Sequence, residues 1–448
     1  MADTGGMSTQ SEFSRQASLV LVGEYVQGLG IWSVIEQHVT IKQKIRQHTP
    51  LAKLLDAFIT ILAGGHGLVE SNTRVRPDPI VQAAFGRRSC AEQSTISRML
   101  TACSPANVDQ MRDALQAILR QQGRCYQHHY ERAWQVLDVD LTGLVAGRQG
   151  EGVTKGYFAH QRSQRGRQLG RVLATDYGEL VVEQLYPGQR QLERGFTPLL
   201  EAAEKVLDLT DNRRARTIVR ADGGAGSDAN INWALHRSYH LLTKVHNWQR
   251  AMRLARTVTA WYPDDSVPER ELGWVTQPAV YAQPTRQVAI RYHQKNKKGE
   301  LVWRHHILVT TLTDPMVFTL LGQDLPPTLD DAMRLRAIAH AYDLRDGALE
   351  TENRGDKQGL GLSHRNKRSF AAQEMLVLLA ELAHNVTVWA QHRLTEHDPR
   401  FHKFGIQRMV RDVFQIDGQA TLSSERQVVQ VVLNPLHPYA AAVAAAFG

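Results

Sequence analysis

Trp134-Gln-Val-Leu-Asp-Val-Asp-Leu-Thr-Gly-Leu144 is the stretch on which the fold turns. Its alternation places Asp138, Asp140 and Thr142 on one face and Leu137, Val139 and Leu141 on the other, the period of a β-strand. Aspartate is disfavoured in strands, and two carboxylates on one strand face resist desolvation unless a cation neutralises them. A divalent metal ion is a chemically sensible companion. The plain alternative is a solvated edge strand.

Working outward, further strands are expected at Gln168 to Thr175, Leu180 to Leu185 and Arg216 to Ala221, with a helix from Phe196 to Leu207 before the last of them. That order is the alternation of an α/β core. Asp222 closes the last strand and is followed by Gly223-Gly224-Ala225-Gly226. Sites in open α/β sheets form at strand C-termini, and glycines there permit close backbone approach, although an Asp-Gly turn reads the same way.

Upstream, from Ser18 to Gln122, the pattern is helical, with capping residue and proline together at Thr49-Pro50, Asp78-Pro79 and Ser104-Pro105. Stops fall at Gly64-Gly65, Gly86 and Gly123. Within this region Ala91 to Leu100 reads either as a DNA-recognition helix, exposing Ser94, Ser97 and Arg98, or as a plain packing helix. Downstream, His246 to Asp330 is rich in strand signals, and helical periodicity returns over Asp330 to Tyr342 and again over Ala348 to Lys357. A long apolar helix near Ser369 to Gln391 is expected to pack on a sheet face. The tail from Phe401 suggests short strands such as Val428 to Leu433 and ends in an alanine-rich stretch without a clear assignment.

The balance of 53 Lys+Arg against 45 Asp+Glu gives a formal charge of +8, which favours a polyanionic partner without naming one. Cys90, Cys103 and Cys125 are odd in number and lack CxxC spacing, which argues against a disulfide framework or a zinc site and suits a reducing cytoplasm. Residues Met1 to Gln16 are polar and read as a disordered leader without a secretory core. No stretch has the roughly 20 apolar residues of a spanning helix, so no membrane partner is expected.

The third feature is a helix on which Glu350, Arg354 and Lys357 fall at i, i+4 and i+7 and share a face. Alone, this is more often a salt-bridged solvated helix. The longer stretch Tyr342-Asp-Leu-Arg345 through Glu350 to Lys357 resembles the Tyr-Arg-Glu-Lys signature of DDE transposases of bacterial insertion sequences, the insertion-sequence-4 type. One extra residue separates Arg345 from Glu350, which leaves Glu350 and Glu352 both open as the acid; the spacing to Lys357 favours Glu350. Asp140-Leu-Thr142 is similar to the family's first acidic motif and Asp222 to its second.

The resemblance implies an α/β fold with an RNase H-like catalytic core, interrupted by a β-rich insertion and preceded by an all-helical N-terminal domain. The expected segments are a leader at 1–17, a helical DNA-binding domain at 18–131, the core at 132–245 and 331–395, the insertion at 246–330, and a C-terminal segment at 396–448 serving dimerisation or DNA contact. It implies metal-dependent DNA cleavage and strand transfer, in cut-and-paste transposition. Asp140, Asp222 and Glu350 would be catalytic, holding Mg2+ with Mn2+ as substitute. Tyr342, Arg345, Arg354, Lys357, Arg365, Lys367, Arg368, Lys297, Lys298 and Arg98 would contact double-stranded DNA, both transposon ends and target. Trp248, Trp261, Trp274 and Trp303 are candidates for stacking on a displaced base. A homodimer on paired ends, in the bacterial cytoplasm with the nucleoid, completes the expectation. The rival readings are a catalytically silent transposase-derived DNA-binding protein and another RNase H-like nuclease.

Overall fold

The three capped helix starts form as their chemistry dictates. The structure, a computed structural model, describes residues 10–156, 158, 164–296 and 298–448. In it Thr49 accepts from Ala52 N at 3.1 Å, Asp78 from Ile80 and Val81 N at 3.1 and 3.0 Å, and Ser104 closes a capping box with Asn107. These caps open helices Pro50–Leu62, Pro79–Ala84 and Pro105–Gln122. Gly64 and Gly86 take the left-handed conformation, at φ 71° and 69°. Gly123 does not: it is extended, at φ −73° and ψ 127°.

The chain divides into two compact units. One comprises Met1–Tyr126, Leu144–Arg167 and Thr351–Gly448; the other comprises Gln127–Gly143 and Gln168–Glu350. In the first unit, helix Phe370–His397 is buried along most of its length and packs against the helices Pro50–Leu62, Gln93–Thr101, Pro105–Gln122 and Ala440–Phe447. This corrects the expectation that it covers a sheet face within a core segment at 331–395. A helix that is apolar nearly all round needs partners on several sides, and surrounding helices supply them. The alanine-rich terminus is helix Ala440–Phe447. Strands Gln10–Ser14, Gly418–Leu422 and Val428–Leu433 form a small sheet, in which Gln10 faces Leu422 and Ser14 faces Gly418. The described part of the expected leader is therefore an ordered strand; its first nine residues lie outside the described ones.

The second unit is built on the acid-bearing strand. Gln135–Val145 runs parallel to Thr217–Ala221, which runs parallel to His240–Lys244. On its other side lie Arg165–Ala174 and then Glu179–Pro187. Helices Leu192–Leu207 and Asp228–His236 make the crossovers that parallel pairing requires. The expected β-rich insertion is continuous with this sheet and does not form a layer apart. Leu301–Thr310 pairs antiparallel with His240–Lys244 through Leu308 and Lys244, and Arg286–Lys295 and Glu271–Trp274 follow it outward.

One helix, Asp331–Gln358, replaces the two expected from Asp330 to Lys357. Gly347 sits in its middle and does not break it, because the turns on either side are pinned by burial. Leu335, Ile338, Ala341 and Tyr342 pack over Ile218, Leu242 and Leu308 of the sheet, while Leu349 packs with Leu173 and Leu180. The helix thus lies across the sheet face that carries Ile218. Among the described residues, no single helix is long and apolar enough to cross a membrane.

Candidate active site

Parallel register decides where the acids lie. Asp138 faces Arg220 and Val139 faces Ala221, so Asp140 and Asp222 are each one residue further along neighbouring strands, on the face covered by the long helix. Both stand just beyond the last paired residues of the two strands: Asp222 follows the end of Thr217–Ala221, and Asp140 lies midway along Gln135–Val145. Backbone amides hold them: Leu141 N donates to Asp140 Oδ1 at 2.8 Å, and Gly224 N donates to Asp222 Oδ1 at 2.7 Å. Two of the glycines after Asp222 permit close approach: a Cβ on Gly224 would lie 2.8 Å from Asp222 Oδ1, and one on Gly226 would lie 1.6 Å from the carbonyl oxygen of Lys244.

The electrostatics are those of crowded anions. Burial pushes the Asp140 carboxyl up to about 7, the charge of Asp222 adds to the rise, and Glu350 adds further; Arg345 and the Leu141 amide work against it. Glu350 itself is exposed on the helix, with its Oε1 3.8 Å from Arg345 Nη2. Arg345 is buried, which opposes its charge, yet Tyr342, Asp140, Asp346 and Asp222 together raise its pKa. Tyr342 is also buried; burial raises its hydroxyl's pKa, and Arg345 opposes that. Lys244 Nζ lies 4.4 Å from the Tyr342 ring centre, its pKa lowered first by burial.

Asp138 does not join this group. It is fully buried, and Arg220 grips it with Nε to Oδ1 at 2.7 Å and Nη2 to Oδ2 at 2.8 Å, while Thr175 Oγ1 donates to Oδ2 at 2.8 Å. The expectation that Asp138 and Asp140 share one cation is therefore corrected: Asp138 has an arginine as counter-charge, and the like-charged neighbour of Asp140 is Asp222 across the strand pair. Arg220, Thr175 and Lys244 escaped the sequence reading. Arg220 stands two residues before Asp222, as Asp138 stands two before Asp140, and that symmetry is the one signal that could have revealed it.

The proposed DNA-contacting cations separate by exposure. Arg354, Arg368, Arg98 and Lys298 are exposed, and Lys357 is half-buried. Lys367 donates from Nζ to Ser97 Oγ at 2.7 Å, and burial lowers its pKa. Arg365 is buried and donates to the carbonyls of Gly65, at 2.5 Å, and Leu360, which removes it from the set of surface cations. Tyr342 and Arg345 are likewise buried, so any role they have is beneath the surface. Lys297 lies outside the described residues. Trp248 and Trp303 are exposed, whereas Trp261 and Trp274 are half-buried. Arg291 is held between the Trp261 and Trp303 rings, at 4.1 and 4.4 Å from their centres.

A metal would find hard carboxylate oxygens here and a charge crowding that it would relieve, so Asp140 and Asp222 fit a hard divalent cation. Among the described residues, no three His, Cys, Asp or Glu side chains converge as a ready metal-ligand set. Glu350 faces Arg345 in this structure.

Comparison with known proteins names the class first: enzymes that move DNA with a DDE catalytic domain. A family model described as transposase DDE domain group 1 matches residues 8–447, and the chain belongs to that family. It is a DDE transposase, an enzyme of DNA transposition, and its family generally uses divalent metal ions. A solved piggyBac transposase, captured as a synaptic complex with hairpin DNA, is similar at TM-score 0.49 and 11% identity, over 87% of this chain and 79% of that one. No curated protein sequence matches the chain.

Proposed function

We propose that Asp140, Asp222 and Glu350 are the three acids of this transposase, and that it cuts and rejoins the ends of a bacterial insertion sequence of the insertion-sequence-4 type. The observation that carries this reading is the parallel register that sets Asp140 beside Asp222 on neighbouring strands, under the helix that bears Glu350; burial first and then Asp222 push the Asp140 carboxyl up to about 7. Carboxylates crowded together on adjacent strands are costly to the fold and suited to a cation. The ion is Mg2+, with Mn2+ as substitute, because the donors are all carboxylate oxygens.

When bound, divalent metal would activate the attacking water or 3′-hydroxyl and stabilise the leaving oxygen. The protein's own groups do the rest. The Leu141 and Gly224 amides aim the aspartates. Arg345, beneath the helix surface, balances them and orients Glu350. Arg354 and Lys357, one and two turns beyond Glu350, neutralise DNA phosphates, and Arg368, Lys367, Lys297, Lys298 and Arg98 extend that contact over transposon-end and target DNA. The exposed Trp303 and Trp248 are the aromatic side chains best suited to stack on a base.

The frame is an RNase H-like core, working as a homodimer on paired ends in the bacterial cytoplasm, at the nucleoid. A cut-and-paste event releases two ends, and one set of acids per chain provides one centre. The test is Asp140→Ala, Asp222→Ala and Glu350→Ala, each assayed for cleavage and for binding of end DNA. All three should lose cleavage and keep binding; a Glu350→Ala enzyme that cuts while Glu352→Ala does not would move the third acid. Mixing wild-type and Glu350→Ala chains tests the dimer, because cleavage that falls only in proportion to the wild-type fraction refutes coupled ends.

A further inference from the structure

We propose that Arg220, Asp138 and Thr175 form a positioning lock that sets the relative placement of the three acids; the inference rests on the assignment of those acids above. Arg220 is 2% exposed and Asp138 fully buried. The guanidinium is a rigid planar fork, and every arm of it is used. Nε and Nη2 take both oxygens of Asp138 at 2.7 and 2.8 Å, and Nη1 donates to the carbonyl of Ala341 at 3.2 Å. Thr175 Oγ1 adds the Arg165–Ala174 strand end to Asp138 at 2.8 Å.

One group therefore ties together the three elements on which the acids stand. Asp138 is two residues before Asp140, Arg220 is two residues before Asp222, and Ala341 belongs to the helix that carries Glu350. Two residues along a strand is about 7 Å on the same face. The carbonyl of Ala341 is also the one that helix geometry pairs with the amide of Arg345, the cation facing the acids. A displacement of the lock is thus passed through rigid strand and helix backbone to every member of the site.

Stability does not account for a charged pair in this place. Apolar side chains of similar volume commonly serve a buried position as well or better, because desolvation of both ions offsets their attraction. A second pair in the same unit, Arg171 with Glu183, is equally buried and joins the neighbouring strands Arg165–Ala174 and Glu179–Pro187, which carry none of the three acids. It supplies an internal control.

The experiment uses the full chain and Mn2+. The double variant Asp138→Leu/Arg220→Met, the control Arg171→Met/Glu183→Leu and the wild type are compared by thermal unfolding and by Mn2+ binding followed through the resonance of free Mn2+. Nicking of a plasmid that carries the coding sequence with its native flanking DNA is measured alongside. The lock variant should unfold near the wild-type temperature, bind Mn2+ about 10–100-fold more weakly and nick correspondingly more slowly. The control should leave Mn2+ binding unchanged. Wild-type Mn2+ affinity in the lock variant, or an equal loss in the control, overturns the proposal. Should the double variant fail to fold, Arg220→Lys decides, since it keeps the charge and loses the fork: an about tenfold loss of Mn2+ affinity at unchanged unfolding temperature supports the lock, and wild-type affinity overturns it. Asp140→Asn and Asp222→Asn distinguish the two levels of argument. If they bind Mn2+ like wild type, the assignment of the acids fails; if they lose it and the lock variants do not, only the lock fails.

Discussion

Two carboxylates of one strand, Asp138 and Asp140, point to the same face and have opposite fates. Asp138 receives a two-armed arginine and a threonine hydroxyl, and its charge is balanced inside the fold. Asp140 receives one backbone amide and a second carboxylate across the strand pair, and its pKa rises to about 7. The register that gives Asp138 an arginine neighbour brings Asp140 beside an aspartate two residues later. A fold can bury an ion by pairing it, or it can hold like charges together for a partner that brings the opposite sign. Within 3 residues this strand does both, so the contrast, more than the acidity itself, marks where a cation belongs.

The largest effect that would break this contrast is on cleavage. Asp222→Ala should lower the cleavage rate by about a thousandfold or more, because a ligand to metal contributes several kcal/mol to the transition state. DNA binding should hold within a factor of about three, since no phosphate contact is removed. Gel-resolved cleavage and binding on the same end DNA measure both. Retained cleavage would place the catalytic charge elsewhere.

Next in size is stability. Asp138→Ala leaves Arg220 buried without its counter-ion and should cost about 3–5 kcal/mol, read by denaturant unfolding. A variant as stable as wild type would mean that water or another acid reaches Arg220, and the two aspartates would no longer be opposites.

Asp140 should behave with the reverse sign. Its carboxyl is raised in the folded state from 3.8 to about 7, so between those values the folded protein holds a proton that the unfolded chain has released. Stability therefore falls as pH rises through that window and stays reduced above it. Asp140→Asn should remove the loss and stabilise the metal-free protein at pH 8 by roughly 1–3 kcal/mol, with no gain below pH 4. Mg2+ or Mn2+ should raise the unfolding temperature of the wild type at pH 8 and do so less in the variant. An Asn variant less stable than wild type at pH 8 would show that Asp140 is already balanced.

Much of this was legible in the sequence where the cause is local. Alternation placed Asp140, a strand end placed Asp222, and caps at Thr49, Asp78 and Ser104 placed three helices, because each signal acts within a few residues. What needed the fold was pairing at a distance. Asp138 finds Arg220 82 residues away, and nothing in the strand's own pattern tells an arginine-paired aspartate from a crowded one. The hairpin of Arg286–Lys295 and Leu301–Thr310 reads as part of a β-rich insertion, but its pairing with His240–Lys244 is not legible, since periodicity reports a strand and not its neighbour. Periodicity reads as two helices, Asp330 to Tyr342 and Ala348 to Lys357, but Tyr342 and Leu349, buried on either side of the gap, hold one helix continuous.

The smallest effect extends the contrast to cations. Arg365 bonds the carbonyls of Gly65 and Leu360 beneath the surface, whereas Arg354 is exposed one turn beyond Glu350. A cation whose hydrogen bonds are made inside the protein releases no counterions from DNA; one that meets a phosphate releases about one. Arg354→Ala should therefore reduce the slope of log affinity against log salt by about 0.9, and Lys357→Ala by a similar amount. Arg365→Met should leave the slope unchanged while lowering stability, because two carbonyls lose their donor. Binding of end DNA measured over a series of salt concentrations separates the cases. Equal slopes in all variants would mean that the helix face beyond Glu350 never meets DNA, and a changed slope in Arg365→Met would mean that its guanidinium leaves the carbonyls when DNA arrives.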